Sequence, residues 1–254
     1  MKTILATLLC TLTFLFSAPL RAEQAPLRIL PLGDSITQAE INRASYRYFL
    51  WKKLIEADID VDFVGSMQRQ QDKYSKGTPP QPDYNGQPFD RDHEGHFGWT
   101  IGHVNAGRDP KNGTGSGSLR QWVEHYDFDI ALVHLGTNDV FYKQSNEQIE
   151  KQLRAVVKTL RADNPRAVIL LAQVIPSSKN TSIANAISSM NEMIAELAED
   201  LSSRKSLVIA VDQHSGFDIA ADSYDGVHPN ASGEEKMAQR WFEAIEKALP
   251  RVDR

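Results

Sequence analysis

The chain has 254 residues, of which 41% are hydrophobic and 24% are charged. These proportions are typical of a globular protein with a buried core, and one domain is the default for this length. The net charge is −5 at neutral pH. Nucleic-acid binding calls for a clustered basic face, whereas the Lys and Arg residues here are scattered among more numerous acids. Nucleic acid is therefore excluded as a partner.

The first 22 residues differ in composition from the rest of the chain. Lys2 precedes an apolar run that ends at Phe16, and a Ser-Ala-Pro sequence follows. This order predicts a secretory signal peptide over residues 1–22, with a mature domain over residues 23–254. The apolar run is shorter than the roughly 20 residues that span a bilayer, so we expect no membrane partner after cleavage. The predicted location is secreted or periplasmic.

Cleavage would also remove Cys10, which is the only cysteine, and two basic residues. The net charge of the mature chain would then be −7 instead of −5, because no acidic residue is lost. A mature chain without thiols has no disulfide, no cysteine nucleophile and no thiolate metal ligand.

Short apolar runs alternate with longer amphipathic segments along the mature chain. This alternation predicts an α/β fold in which helices cover a parallel sheet. The predicted strands are compact runs rich in leucine and β-branched residues, at 28–32, 61–65, 130–135, 168–174 and 207–211. Apolar residues at three- and four-residue spacing predict helices at 43–57, 146–162, 183–201 and 234–249.

Local signals mark some of the boundaries between these elements. Ser232 followed by Glu235 predicts a capping box for the last helix, and Asn164-Pro165 predicts the end of the helix before the fourth strand. Residues 66–91 and 107–117 do not fit the alternation and are predicted to be long surface loops. Loops of this length are often functional, so they are either walls of a substrate cleft or simple solvent-exposed insertions.

Ligands of open parallel sheets bind outside the carboxyl ends of the strands, where polar residues occur in this sequence. Gly33-Asp34-Ser35 follows the first predicted strand, and Gly136-Thr137-Asn138-Asp139 follows the third. Asp225-Gly226-Val227-His228 precedes the last predicted helix. Taken singly, these segments are ordinary helix caps or turns. Together they supply a hydroxyl, an amide, a carboxylate and an imidazole, which are the groups that acyl transfer requires.

The roles follow from the chemistry of these groups. A serine hydroxyl is a poor nucleophile unless a base accepts its proton during attack. We therefore predict that Ser35 is the nucleophile, His228 the general base and Asp225 the acid that orients the imidazole.

The same three segments resemble the first, third and last sequence blocks of the SGNH (GDSL-type) hydrolase superfamily, in the family's order. Gly98, within His93-Glu94-Gly95-His96-Phe97-Gly98-Trp99, is the best match to the second block. This stretch and Val61-Asp62-Phe63-Val64-Gly65-Ser66 are also similar to segments of acetyl xylan esterases of carbohydrate esterase family three. The resemblance covers nearly all of the mature chain.

The resemblance implies a flavodoxin-like, three-layer α/β/α sandwich with a central five-stranded parallel sheet. It also implies an oxyanion hole formed by the backbone N–H groups of Ser35 and Gly98 and the side chain of Asn138. The implied activity is removal of acetyl groups from plant polysaccharides such as xylan, without metal or organic cofactor. The expected partner is an acetylated carbohydrate or another small ester.

Two alternatives remain open. The first is a lysophospholipase or thioesterase that uses the same residues on longer acyl chains, although the polar loops are better suited to a sugar. The second is a non-catalytic exported module that binds glycan without cleaving it.

Several further residues have two interpretations. His93, Glu94 and His96 could form a metal site, but structural hydrogen bonding is the favoured interpretation. Asp139 is expected to brace the turn at Asn138. His134, within an apolar predicted strand, is expected in the core. Aromatic residues near the blocks could support a sugar ring or simply pack in the core, namely Trp99, Phe141 and Tyr142.

Overall fold

The computed structural model describes residues 25–108 and 116–252. The predicted signal peptide at residues 1–22 lies outside the described residues. Part of the second predicted loop, residues 109–115, also lies outside them.

A parallel sheet forms the centre of the molecule. Its strands are β1 (Leu27–Gly33), β2 (Val61–Phe63), β3 (Glu94–Gly95), β4 (Ile130–His134), β5 (Val168–Gln173) and β6 (Val208–Asp212). Five of them lie in the order β2-β1-β4-β5-β6, and the two-residue strand β3 pairs with the end of β1. All of these pairings are parallel, which confirms the predicted five-stranded parallel sheet.

The helices confirm the four predicted amphipathic segments and add shorter ones. They are α1 (Ser35–Gln38), α2 (Tyr46–Glu56), α3 (Ile101–Ala106), α4 (Leu119–Val123), α5 (Thr137–Phe141), α6 (Asn146–Asp163), α7 (Thr181–Leu201), α8 (Ile219–Asp222) and α9 (Ala231–Ala248). Helix α6 ends with Asn164 as its C-cap, as predicted. Within residues 25–108 and 116–252, no helix is both long and apolar enough to cross a membrane.

Each face of the sheet carries its own hydrophobic core. Alternate residues of a strand point to opposite faces, so Leu30 and Leu32 of β1 belong to one core, and Leu27 and Ile29 belong to the other. Helices α3, α4, α6 and α7 cover the first face, and helices α2 and α9 cover the second. The three-layer α/β/α sandwich is thus confirmed.

The start of α9 differs from the prediction. Ser232 lies inside the helix, and the N-cap is Asn230, whose Oδ1 accepts hydrogen bonds from the backbone N–H groups of Ser232 and Gly233. The Ser232 hydroxyl instead donates to Asp222. The predicted capping box of Ser232 and Glu235 is therefore wrong. Asn230 also donates from Nδ2 to the carbonyl oxygens of Ala221 and Ser223, which fixes the chain on both sides of the turn.

This cap generates a stability prediction. Asn230→Ala should lower the free energy of unfolding by about 1 kcal/mol or more, because an N-cap typically contributes about 0.5 to 2 kcal/mol and further hydrogen bonds are lost. Urea denaturation measures the effect. The control is Glu235→Ala, because Glu235 is exposed and should change stability by less than about 0.5 kcal/mol. Equal losses in the two variants would contradict this assignment of the cap.

Candidate active site

The turn after β1 presents Ser35 at the carboxyl edge of the sheet. Gly33 ends the strand, and a Cβ atom at this position would lie 2.1 Å from Thr37 Oγ1 and 2.9 Å from the backbone oxygen of His134. Only glycine therefore fits between the first turn of α1 and strand β4. Asp34 then caps α1 by accepting the backbone N–H of Ile36 at 3.0 Å. Ser35 is the first residue of that helix.

The structure brings Ser35, His228 and Asp225 together in one hydrogen-bonded chain. His228 Nε2 lies 2.9 Å from Ser35 Oγ, and His228 Nδ1 lies 2.8 Å from Asp225 Oδ2. The other carboxylate oxygen, Asp225 Oδ1, accepts the backbone N–H groups of Val227 and His228. The two oxygens thus have separate tasks: one shapes the turn, and the other orients the imidazole.

The electrostatics of Asp225 favour its ionised form. Partial burial alone would raise the pKa of this carboxyl, but the hydrogen bonds from the side chain and backbone of His228 and the charge of the imidazolium outweigh burial. The pKa of Asp225 is therefore held well below its usual range. An ionised carboxylate requires a proton on Nδ1, which leaves Nε2 free to accept a proton from Ser35.

Two aromatic rings lie beside the His228 imidazole, and neither is among the site residues predicted from the sequence. The ring centroids of Phe97 and Tyr224 are 5.8 and 5.7 Å from that of His228, and each ring is within 16° of parallel to it. The guanidinium of Arg43 lies 3.5 Å from the centroid of the Tyr224 ring. The only sequence signal for these rings is adjacency, since Phe97 precedes Gly98 and Tyr224 precedes Asp225.

Asn138 links three parts of the site. Its Nδ2 donates to the carbonyl oxygen of Trp99 at 2.9 Å and to Asp34 Oδ2 at 3.1 Å. Trp99 follows Gly98, and Asp34 precedes Ser35, so this one amide group connects the segments that carry the three predicted oxyanion donors.

Gly98 has the left-handed backbone conformation, with φ +75°. A Cβ atom at this position would meet nothing within 4 Å, so the backbone conformation and not lack of space favours glycine here.

A buried hydrogen bond between the side chains of His96 and Glu94 lies beneath the Gly98 loop. His96 Nε2 lies 2.9 Å from Glu94 Oε2, and the His96 ring stacks on Trp99 and Trp122 at centroid distances of 4.6 and 4.3 Å.

His93 Nδ1 accepts the backbone N–H of Gly95, and burial lowers the pKa of His93 well below its usual value. These contacts bear out the structural interpretation of the His93, Glu94 and His96 segment. No group of metal-ligating residues occurs in the described parts of the chain.

Asp139 braces a second segment as well as its own turn. Both of its carboxylate oxygens accept the backbone N–H of Ile101, at 3.2 and 3.1 Å, so it holds the start of α3, and its carboxylate also accepts its own backbone N–H, next to Asn138. Burial raises the pKa of Asp139 to about 7. Its place is behind the Gly98 loop, which it fastens to helix α5.

The remaining candidates separate clearly by exposure. Trp99 is buried, which overturns its possible role as a support for a sugar ring, and Phe141 is half-buried. Tyr142 stands in solvent. His134 is fully buried in β4, as expected, and burial lowers its pKa to about 4.

The family model described as "GDSL-like Lipase/Acylhydrolase family" matches residues 32–236, which is most of the chain. The chain belongs to this family. The match begins within β1 and includes every residue of the site described above. Lipases and acylhydrolases are carboxylic ester hydrolases, and this is the enzyme class predicted from the sequence.

Known relatives of this GDSL-family chain are esterases. A multidomain esterase of Ruminococcus flavefaciens is 35% identical to this chain. The alignment is 270 residues long, gaps included, and covers 99% of this chain. The match covers 33% of that relative, so the chain spans about a third of its length.

Comparison with solved structures is consistent with this family assignment. A carbohydrate esterase family 3 protein from Talaromyces cellulolyticus has a TM-score of 0.73 at 28% identity, over 89% of this chain and all of that one. An acetyl esterase with a serine-to-alanine substitution and an acetate ion has a TM-score of 0.72 at 27% identity, over the same shares.

The buried Asp34 in this GDSL-family site gives stability a specific pH dependence. Burial raises the pKa of Asp34 from 3.8 to about 6, although the hydrogen bond from Ile36 opposes the shift. Between these values the folded state binds the proton more tightly than the unfolded chain does. The contribution of Asp34 to stability should therefore fall as pH rises from about 4 to about 6.

Asp34→Asn removes this titration while keeping an oxygen that can cap α1. The stability of the variant relative to the wild type should rise between about pH 4 and pH 7, on the order of 1 to 3 kcal/mol. Urea denaturation across this range measures the change. The pH trend is the informative quantity, because an unfavourable contact between the new amide and Asn138 would be independent of pH. Parallel stability curves would contradict the raised pKa.

Proposed function

We propose that this chain is an exported serine esterase that removes acetyl groups from a plant polysaccharide such as xylan. The observation that carries the proposal is the unbroken hydrogen-bonded chain from Ser35 Oγ through His228 to Asp225. Its distances are those of hydrogen bonds that pass a proton between a nucleophile and its base.

In the first half of the proposed reaction, Ser35 Oγ attacks the carbonyl carbon of the acetyl ester, and its proton passes to His228 Nε2. The resulting tetrahedral intermediate has negative charge on the former carbonyl oxygen. When the intermediate collapses, the bond to the sugar oxygen breaks, and His228 returns the proton to that oxygen. The sugar hydroxyl departs, and an acetyl-serine remains.

In the second half, His228 accepts a proton from water as the water oxygen attacks the acetyl-serine. Collapse of the second intermediate releases acetate and returns the proton to Ser35. Asp225 stabilises the imidazolium in both halves without taking up the proton, because its depressed pKa keeps it ionised.

The proposed oxyanion hole consists of the backbone N–H groups of Ser35 and Gly98 and the side chain of Asn138. Asn138 donates both to the Gly98 loop and to Asp34, which supports its position between the other two donors. The oxyanion would compete with the carboxylate of Asp34 for one amide hydrogen. Because the negative charge on the oxyanion develops only in the transition state, this amide hydrogen contributes to catalysis to the extent that it binds the oxyanion more strongly than it binds Asp34.

The acetyl substrate is supported by two relatives above 25% identity, one a family 3 carbohydrate esterase and the other an acetyl esterase with acetate. Export is supported by the apolar segment at residues 1–22, and the proposed location is therefore secreted or periplasmic.

Acetate release tests the proposed function. The wild-type protein should release acetate from acetylated xylan and hydrolyse p-nitrophenyl acetate faster than the dodecanoyl ester, and a phosphonate should label Ser35. Ser35→Ala should abolish hydrolysis and labelling, whereas Ser182→Ala, at an exposed serine in the first turn of α7, should change neither. Preference for dodecanoyl esters would favour a lysophospholipase or thioesterase. Glycan binding without any hydrolysis would favour a non-catalytic module.

The oxyanion hole gives a separate prediction. Asn138→Ala should lower kcat roughly 100- to 1000-fold with a smaller change in KM, because one donor contributes about 2.7 to 4 kcal/mol to the transition state. Steady-state kinetics on p-nitrophenyl acetate measures both constants. Thermal unfolding is the control, because Asn138 also joins neighbouring segments. A variant that folds normally and retains wild-type kcat would remove Asn138 from the proposed hole.

A further inference from the structure

Two large hydrophobic side chains stand in solvent among the described residues, and they differ in what they contact. Tyr74 is 63% exposed and Tyr142 is 65% exposed. The ring centroid of Tyr74 lies 5.5 Å from that of Phe97, which in turn lies 5.8 Å from that of His228. Tyr142 has no such ring contact within the described part of the chain. Tyr74 therefore extends an aromatic surface outward from the catalytic imidazole.

The loop that carries Tyr74 is fastened to the segment that follows the nucleophile. The backbone of Gln71 donates to the carbonyl of Ala39 at 3.0 Å and accepts from the N–H of Ile41 at 2.8 Å. On the other side of Tyr74, the Ser75 hydroxyl donates to Glu40. These contacts hold the loop on both sides of Tyr74.

Helix α1 also fixes the second ring. Gln38 accepts the backbone N–H of Phe97 at 2.8 Å and donates to the carbonyl oxygen of Arg69 at 3.1 Å. Phe97 and the Tyr74 loop are thus held by the same short helix that begins with Ser35. The position of the two rings relative to the nucleophile is set before any ligand binds, which lowers the entropic cost of binding.

We propose that Tyr74 and Phe97 form a stacking platform for a pyranose ring of the acetylated oligosaccharide, next to the ester that Ser35 attacks. The proposal rests on the proposed function and adds to it the residues that hold the sugar. Two adjacent aromatic rings beside a polar site are suited to ligand binding, because a ligand that covers their apolar faces removes apolar surface from water.

The chemistry of the surroundings favours a sugar over a long acyl chain. A pyranose has apolar C–H faces and a rim of hydroxyls, so it covers an aromatic face while its edges stay hydrated. Tyr74 has such surroundings, because its ring is largely in water and the ammonium of Lys73 lies 5.0 Å from its centroid. A long acyl chain would instead require a closed apolar groove.

Kinetics on two substrates tests the platform. Tyr74→Ala should raise KM for acetylated xylohexaose about 3- to 10-fold, as expected for loss of one aromatic contact, with little change in kcat. The same variant should hydrolyse ethyl acetate like the wild type, because that ester has no ring to stack. Tyr74→Phe, which keeps the ring, should retain the wild-type KM for acetylated xylohexaose.

Tyr142→Ala is the matched control, because it removes the same side chain at nearly equal exposure from a site outside the platform. Unchanged KM for acetylated xylohexaose in Tyr74→Ala, or equal increases in Tyr74→Ala and Tyr142→Ala, would overturn the proposal.

Measuring sugar binding without hydrolysis distinguishes an incorrect platform from an incorrect proposed function. In a Ser35→Ala background, titration calorimetry with unsubstituted xylohexaose, cellohexaose and chitohexaose measures stacking without hydrolysis. Binding of any of these sugars that weakens with Tyr74→Ala supports the platform, even if the wild type releases no acetate from xylan. Acetate release without binding of any of the three sugars, or binding that is independent of Tyr74, contradicts the platform alone.

Discussion

The arrangement of the site depends on the two hydrogen bonds that the amide group of Asn138 donates. They join helix α5, which follows β4, to the turn after β1 and to the Gly98 loop. These segments are distant in the chain, and they meet at one edge of the sheet because strands β3 and β4 both pair in parallel with the end of β1. Side-chain hydrogen bonds then fix the Gly98 loop beyond the end of β3.

Beyond the two-residue pairing of β3 with β1, buried polar groups hold that loop in place. Glu94 is fully buried, and its carboxylate accepts hydrogen bonds from the backbone and hydroxyl of Ser66 and from the hydroxyl of Tyr126, while His96 completes the set. A buried carboxylate is costly unless it is fully hydrogen-bonded, so this network specifies one arrangement of the loop. Its rigidity in turn places Phe97 beside His228.

Periodicity predicted the long elements well and missed the short ones. Helix α6 contains five turns of apolar spacing, and its predicted and observed bounds differ by one residue at its end. Helices α1, α3 and α5 have six residues or fewer, which is too short for a 3.6-residue repeat to show. The N-cap of α9 was misassigned because Ser232 and Asn230 are both good capping residues, and only the backbone geometry distinguishes them.

Hydrophobic spacing in the sequence was enough to predict a parallel sheet covered by long helices, because that spacing decides which faces are buried, and the family resemblance added the three-layer arrangement. The sequence also identified Ser35, His228 and Asp225 as residues whose chemistry belongs together. Only the tertiary structure decided the partners of these residues: the link from Asn138 to Asp34, the support of Ile101 by Asp139, and the rings of Phe97 and Tyr224 beside the imidazole. Most of these contacts join residues far apart in the chain, and no local spacing encodes them, whereas Tyr224 lies only four residues before His228.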